Sequence, residues 1–265
     1  TIGKGGFVVG GSYGEGQVYA DGKVTGTASL AKLSVGFQLG GQAFSQMVFF
    51  QDKRAFDELS AFGTEVHEMV VDVADESAVI DAFAETLAIF GRVDGCFANA
   101  GVGSGRNAFH ELSNEEWRRV LSVNLDGLMY ALRAAAGHMK ERADAGDAGG
   151  RLVGTSSISA ILGYPRGATY AGSKAAVIAI MQSLAVELAR YQVTANSILP
   201  GMIETPMTEK ALQNEEFSSA FISRIPARRA GTPEDFEAIA AYLMSDASQY
   251  HTGDKFTIDG GFMMY

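Results

Sequence analysis

The stretch Ser157-Ile158-Ser159-Ala160-Ile161-Leu162-Gly163-Tyr164-Pro165-Arg166-Gly167-Ala168-Thr169-Tyr170-Ala171-Gly172-Ser173-Lys174 decides how this chain reads, and an apolar helix is predicted to run on from it. On a helix Tyr170 and Lys174, four positions apart, share one face a turn from each other. An ammonium there stabilises a phenolate, which draws a tyrosine from its ordinary pKa of about 10 towards acid and base work near neutrality. Ser157 ends the extended apolar run Arg151-Leu152-Val153-Gly154-Thr155-Ser156, so its hydroxyl is positioned to share a substrate oxygen with the tyrosine at the carboxyl edge of a sheet. Alone, Tyr-x-x-x-Lys is common, and the simpler reading is an ordinary helix pair with Ser157 as a turn cap.

Other stretches stand beside it. Asn99-Ala100-Gly101 follows a predicted strand, Val123-Asn124-Leu125-Asp126-Gly127 lies in a predicted helix, and Pro200-Gly201-Met202-Ile203-Glu204-Thr205 follows another strand. With these in this order, residues from about 64 to the C-terminus resemble the short-chain dehydrogenase/reductase family. The resemblance implies an α/β fold, a Rossmann-like doubly wound parallel sheet, and an oxidoreductase using NAD or NADP on an alcohol/ketone pair. It implies that Tyr170 is the general acid/base, that Lys174 lowers its pKa and holds the nicotinamide ribose, that Ser157 orients the substrate carbonyl, and that Asn124 completes a proton relay through water. It further implies that Asp72 and Val73 contact the adenine, that Asn99, Ala100 and Gly101 line the cofactor, and that Pro200, Gly201, Ile203 and Thr205 flank the nicotinamide. A homodimer or homotetramer through the helices after Ser113 and Thr169 is implied as well. Each residue also has a plainer reading: Asn124 as the polar group satisfying a helix break, Asn99-Ala100-Gly101 as a turn, Asp72 as a cap.

Residues 1–62 have a different texture. Asp21-Gly22-Lys23 sits between Val18-Tyr19-Ala20 and Val24-Thr25, which is a hairpin signal. Ala31, Leu33, Val35, Phe37 and Leu39 alternate with polar or small residues at the period of a half-buried strand, and Met47-Val48-Phe49-Phe50 reads as another strand. Phe7-Val8-Val9 followed by Gly10, Gly14 and Gly16 imitates a dinucleotide-binding start. A phosphate loop, however, works because a helix N-terminus follows it and aims free amides at the diphosphate. Here Gly22, Gly26 and the hairpin signal follow, so no helix is expected. An acidic residue is expected ~20 positions past such glycines, and Asp52 lies roughly twice that far beyond Gly10. The segment resembles instead the C-terminal part of the SYLF lipid-binding domain, through Gly10 to Gly16, Tyr19 to Val24, Gly36 to Gln42 and Phe49 to Lys53. On this reading the chain is a chimera: a β-rich SYLF-like segment over 1–62, replacing the usual first β-α-β unit, then an α/β domain over 63–265, joined between Met47 and Glu65.

Composition bounds the rest. The 265 residues are 47% hydrophobic, enough for one sizeable core. A net charge of −10 argues against a nucleic-acid groove. The single Cys96 excludes an intrachain disulfide, and His67, His110, His138 and His251 are too scattered for a metal motif, so no metal is expected. No secretory signal and no apolar run of the ~20 residues needed to span a bilayer are read, and a cytoplasmic setting is expected. Cys96 and Trp117 are expected in the core, and Arg228-Arg229 as a solvated pair.

In the second region the predicted elements are strand Val66 to Val73, helix Asp75 to Phe90, strand Val93 to Ala98, a helix from the Ser113-Asn114-Glu115-Glu116 capping box to about Arg142, strand Arg151 to Ser156, helix Thr169 to Arg190, strand Val193 to Leu199, a helix from Thr232-Pro233 to about Ser245, and strand Phe256 to Ile258. The family's sheet order, 3-2-1-4-5-6-7, leaves a central slot to fill. The candidates are Phe7-Val8-Val9 for that slot and Met47-Val48-Phe49-Phe50 beside it. Three functions follow: the oxidoreductase, a catalytically idle relative whose phosphate loop is replaced, or a protein binding a lipid or membrane surface through residues 1–62.

Overall fold

The structure is a computed structural model; it describes residues 8–20, 23–36, 46–47, 67, 69–105 and 107–264, with side chains from 67 onward. Strands β1 (Val8–Ala20) and β2 (Lys23–Gly36) form an antiparallel two-stranded sheet. Ala20 faces Lys23 across the antiparallel pair, and Asp21 and Gly22, which carry the hairpin signal, lie outside the described residues. Gly10, Gly14 and Gly16 are inside β1, and the strand continues past them to Ala20 with no helix. The expectation for Phe7-Val8-Val9 is corrected: Val8 and Val9 pair with Gly36 and Val35, not within the parallel sheet. Phe7, Phe37 to Leu39, and Val48 to Phe50 lie outside the described residues.

The second sheet has five strands in the order β3 (Gln46–Met47), β4 (Gly95–Ala98), β5 (Gly150–Thr155), β6 (Val193–Pro200) and β7 (Lys255–Ile258), every pair parallel. Met47 faces Cys96, so the slot beside β4 is held by Gln46–Met47. Strand Val66 to Val73 is also corrected. Residues 69–72 have no regular secondary structure and 73–74 form a turn. Val71 and Val73 are buried while Val70 is 88% exposed, so the alternation of an extended chain is present. A strand needs hydrogen-bonded neighbours as well as alternation, and among the described residues this segment has none.

The helices are α1 (Glu76–Phe90), α2 (Asn114–Leu121), α3 (Leu128–Asp144), α4 (Ala168–Leu188), α5 (Glu209–Leu212), α6 (Glu215–Ile222) and α7 (Glu237–Met244). Asp75 caps α1 by accepting from the Ser77 and Ala78 amides at 2.9 and 3.3 Å, and Gly91 closes it at φ 76°. Ser113 caps α2 through the Glu116 amide at 3.1 Å. The long helix predicted to reach Arg142 is interrupted by a π-turn, Ser122–Gly127, between α2 and α3. The segment after Thr232 opens as a 3-10 turn, Pro233–Phe236, before α7. Helices α5 and α6 have no counterpart in the sequence reading.

One core lies between α1, α3, α4 and the sheet, around Val79, Leu132, Met139, Leu152, Val177 and Met181. The opposite face packs Phe97, Val153 and Ile198 against Phe236, Ala240 and Leu243 of the α7 region. Apolar layers on both faces explain why β4 and β5 are near-continuous apolar runs. Ala168–Tyr191 is, by length and composition, long enough and apolar enough to cross a membrane, contrary to the sequence expectation. Its Val177, Met181, Ala185 and Leu188 are spent on the core. Trp117 is 39% exposed rather than core. Arg229 is not merely solvated: it forms a two-pronged pair with Asp235 at 2.6 Å on both oxygens.

Candidate functional site

Strands β4, β5 and β6 are parallel, so their carboxyl ends, at Ala98, Thr155 and Pro200, lie along one edge of the sheet. In open α/β sheets this edge is where ligands bind. Asn99-Ala100-Gly101, Ser156-Ser157 and Gly201 follow these three strands directly, and α4 brings Tyr170 and Lys174.

Lys174 is 3% exposed, and its Nζ donates to the Thr155 carbonyl at 2.8 Å while lying 5.8 Å from the centre of the Tyr170 ring. Burial pushes its ammonium down to about 8, so the positive charge beside the tyrosine is held at neutral pH and given up just above it. Two serines fasten this turn of α4. Ser156 Oγ donates to the Lys174 carbonyl at 2.7 Å, and Ser173 Oγ to the Tyr170 carbonyl at 2.7 Å.

Asn124 sits in the π-turn, fully buried. Its Oδ1 accepts from the Val102 amide at 2.7 Å, and its Nδ2 donates to the Val102 carbonyl at 3.0 Å and to Ser173 Oγ at 3.1 Å. One side chain thereby joins the loop after β4 to the turn of α4 that carries Tyr170 and Lys174. A π-turn widens the helix enough to turn such a residue inward and is common at functional sites. Gly127 ends it because α3 crosses residue 73 closely: a β-carbon there would lie 2.8 Å from the Val73 carbonyl oxygen.

Ser157 is buried, and its Oγ accepts from the Ser159 amide at 3.1 Å. That is the turn cap of the simpler reading, and it leaves the hydroxyl proton to donate elsewhere. Gly201 allows close passage of the chain after β7, since a β-carbon there would lie 2.8 Å from Asp259 Cα. Ile203 bridges to Gly231, and the Thr205 amide donates to Thr208 Oγ1 at 3.1 Å. Asp72 is exposed, with Oδ1 accepting from the Ala74 amide at 2.9 Å, and Val73 is buried against Gly127. The sequence reading missed the parts that hold the site: the Thr155 carbonyl, the Val102 backbone, Ser156 and Ser173. Most of these bonds end on backbone atoms, which leave no residue pattern to read.

A family profile described as enoyl-(acyl carrier protein) reductase matches residues 45–263. The chain belongs to the short-chain dehydrogenase/reductase family. The match begins at 45, ahead of residue 64, where the likeness was first legible. More particularly, the chain is 33% identical over 205 residues to the L-rhamnose 1-dehydrogenase (NAD(P)(+)) of Azotobacter vinelandii, covering 77% of this chain and 78% of that one. It is 38% identical over 211 residues to the acetoacetyl-CoA reductase of Synechocystis, covering 78% and 85%. Among solved structures, the gluconate 5-dehydrogenase of Burkholderia cenocepacia, in complex with NADP and tartrate, superposes with a TM-score of 0.73 at 29% identity, covering 79% of this chain and 80% of that one.

Proposed function

We propose that this chain is an NAD- or NADP-dependent oxidoreductase that interconverts an alcohol and a ketone, with Tyr170 as general acid/base. The observation that carries the proposal is Lys174, buried and held by the Thr155 carbonyl one helical turn from Tyr170, at the strand edge that also bears Ser157. The cofactor class is supported by the relatives named above for NAD(P)(+) and NADP.

The residues fit the nicotinamide half of such a cofactor. Lys174 spends one N–H on Thr155 and keeps two for ribose hydroxyls. A β-carbon at position 101 would lie 3.2 Å from Lys174 Nζ, so Gly101 keeps that approach open. Asn99, Ala100, Pro200, Gly201, Ile203 and Thr205 would flank it, with Asp72 and Val73 towards the adenine. The diphosphate end is unlike the family's: Gly10 to Gly16 lie within a paired strand, with no helix N-terminus after them. When bound, the dinucleotide supplies or accepts a hydride. Ser157 then donates to the substrate oxygen and orients it. Tyr170 gives that oxygen a proton as the alcohol forms and takes it back in the reverse direction. Lys174 favours the phenolate by its charge, and Asn124 completes the relay that refills Tyr170 through water.

Tyr170→Phe should abolish turnover followed by nicotinamide absorbance; retained turnover refutes this mechanism. Thermal unfolding with millimolar NADH and NADPH tests the cofactor site, because a ligand at 100 times its dissociation constant stabilises by about 2.7 kcal/mol. A transition raised by one nucleotide supports the proposal and names the cofactor. A cooperative transition that neither moves supports the idle alternative. The remaining alternative, lipid binding through a SYLF-like segment over 1–62 joined to an α/β domain over 63–265, has the sequence likeness as its support, and vesicle co-sedimentation tests it.

A further inference from the structure

The capping box at Ser113-Asn114-Glu115-Glu116 is only half made. Ser113 Oγ accepts from the Glu116 amide at 3.1 Å, but the Glu116 carboxylate, which in such a box turns back to the Ser113 amide, is spent elsewhere. Its Oε1 accepts from the Gly105 amide at 2.5 Å and from Arg119 Nη2 at 3.1 Å, and its Oε2 accepts from Arg119 Nε at 3.0 Å. Arg119 Nη2 also donates to the Gly103 carbonyl at 2.8 Å. Glu116 and Arg119 lie one turn apart on α2, so a single helix face offers the loop after β4 both a charged acceptor and a charged donor.

That loop depends on them. Among the described residues no backbone–backbone hydrogen bond holds residues 102–105, so their polar groups rely on side chains. Asn124 takes the amide and carbonyl of Val102, Arg119 the carbonyl of Gly103, and Glu116 the amide of Gly105. The base of the same loop lies against the site: a β-carbon at 101 would sit 3.2 Å from Lys174 Nζ and 3.4 Å from Asn124 Oδ1. Contacts this close leave little slack, so a drift of the loop would close over the Lys174 N–H groups. An exposed ion pair on one helix contributes little by itself, whereas hydrogen bonds from charged groups to backbone are stronger than neutral ones. The Arg119 guanidinium also holds the Glu116 carboxyl below its usual range, which keeps it an ionised acceptor at neutral pH.

We propose that Glu116 and Arg119 are positioning residues: they clamp the loop after β4 at Gly103 and Gly105 and thereby hold Gly101 clear of Lys174 for the nicotinamide ribose. This rests on the oxidoreductase reading above and deepens it. The clamp has a fixed polarity, since a carboxylate accepts from an amide but cannot donate to a carbonyl, and a guanidinium does the opposite. Reversing the two residues keeps the ion pair and destroys the clamp.

The test uses the full chain, calorimetry with NADH and NADPH, and amide hydrogen exchange followed residue by residue by NMR. Glu116→Ala and Arg119→Met should each weaken the tighter-bound nucleotide about 10-fold, the order of one charged hydrogen bond, and Glu116→Ala should speed exchange of the Gly105 amide. Glu116→Gln, which keeps a neutral acceptor, should lose less. The reversed pair E116R/R119E should bind no better than the single variants, while Arg118→Met, the same charge change one residue away, should bind as the wild type does. Affinity restored by the reversed pair would reduce the two residues to a helix ion pair and overturn the proposal. Wild-type affinity in Glu116→Ala or Arg119→Met, or an unchanged Gly105 amide in Glu116→Ala, would overturn it as well. If the wild type binds neither nucleotide, the oxidoreductase reading fails and exchange at Gly105 decides the clamp separately: faster exchange in Glu116→Ala and in the reversed pair supports it, and unchanged exchange overturns it.

Discussion

Replacing Lys174 by Met should make the protein more stable at neutral pH while ending its turnover. A lysine ordinarily keeps its proton up to 10.5, and burial brings Lys174 down to about 8. At ~1.36 kcal/mol for each tenfold change in protonation, holding the charge inside costs roughly 3 kcal/mol at pH 7. Met removes that cost with a side chain of similar length. It also removes the bond to the Thr155 carbonyl at 2.8 Å, leaving that oxygen short of a donor for about 1–2 kcal/mol. The variant should therefore gain about 1–2 kcal/mol at pH 7. The sign follows from proton binding. Between pH 8 and 10.5 the unfolded chain keeps the Lys174 proton and the folded chain releases it, so wild-type stability rises with pH through this window. The variant lacks this contribution, and other groups are common to both proteins. The gap should shrink above pH 8 and reverse by about pH 10. Urea unfolding of both proteins at pH 7, 8.5 and 10 measures it; a gap that does not change with pH would refute the reasoning.

Asn124→Ala should destabilise the fold by about 2–4 kcal/mol, because it strands the buried amide and carbonyl of Val102 together. Urea unfolding checks this, and an unchanged midpoint would mean that the loop after β4 is held without it. Cys96 is buried in the core with its thiol pushed up to about 12. Native protein at pH 8 should resist a thiol reagent that takes up one equivalent in denaturant, since the reactive species is the thiolate; labelling of the folded chain would contradict the placement.

Much of the architecture was legible because its signals are local. Asp75, Ser113 and Gly91 act within a turn of their own position, and Ala20 pairs with Lys23 on either side of the local Asp21-Gly22 signal. Spacing likewise put Tyr170 and Lys174 on one helical face, and the order of strands carried Asn99, Ser157 and Pro200 to one sheet edge. Helices α5 and α6 escaped because, at four and eight residues, they are too short for a helical period to show, although Asn214 caps α6 through the Phe217 amide at 2.9 Å.

By itself, then, the sequence determined what most segments can be: where the longer helices run, which stretches alternate, and which side chains share one helical face. Tertiary structure alone decided what each segment meets. Val71 and Val73 alternate as a strand should, yet the stretch is not one, because pairing is a property of a neighbour. Trp117 occupies an apolar position on its helix and still faces outward, because burial depends on what packs opposite. The charge on Lys174 follows the same rule. Its residue type sets the pKa at 10.5, and only burial in the low-dielectric core brings it down to about 8.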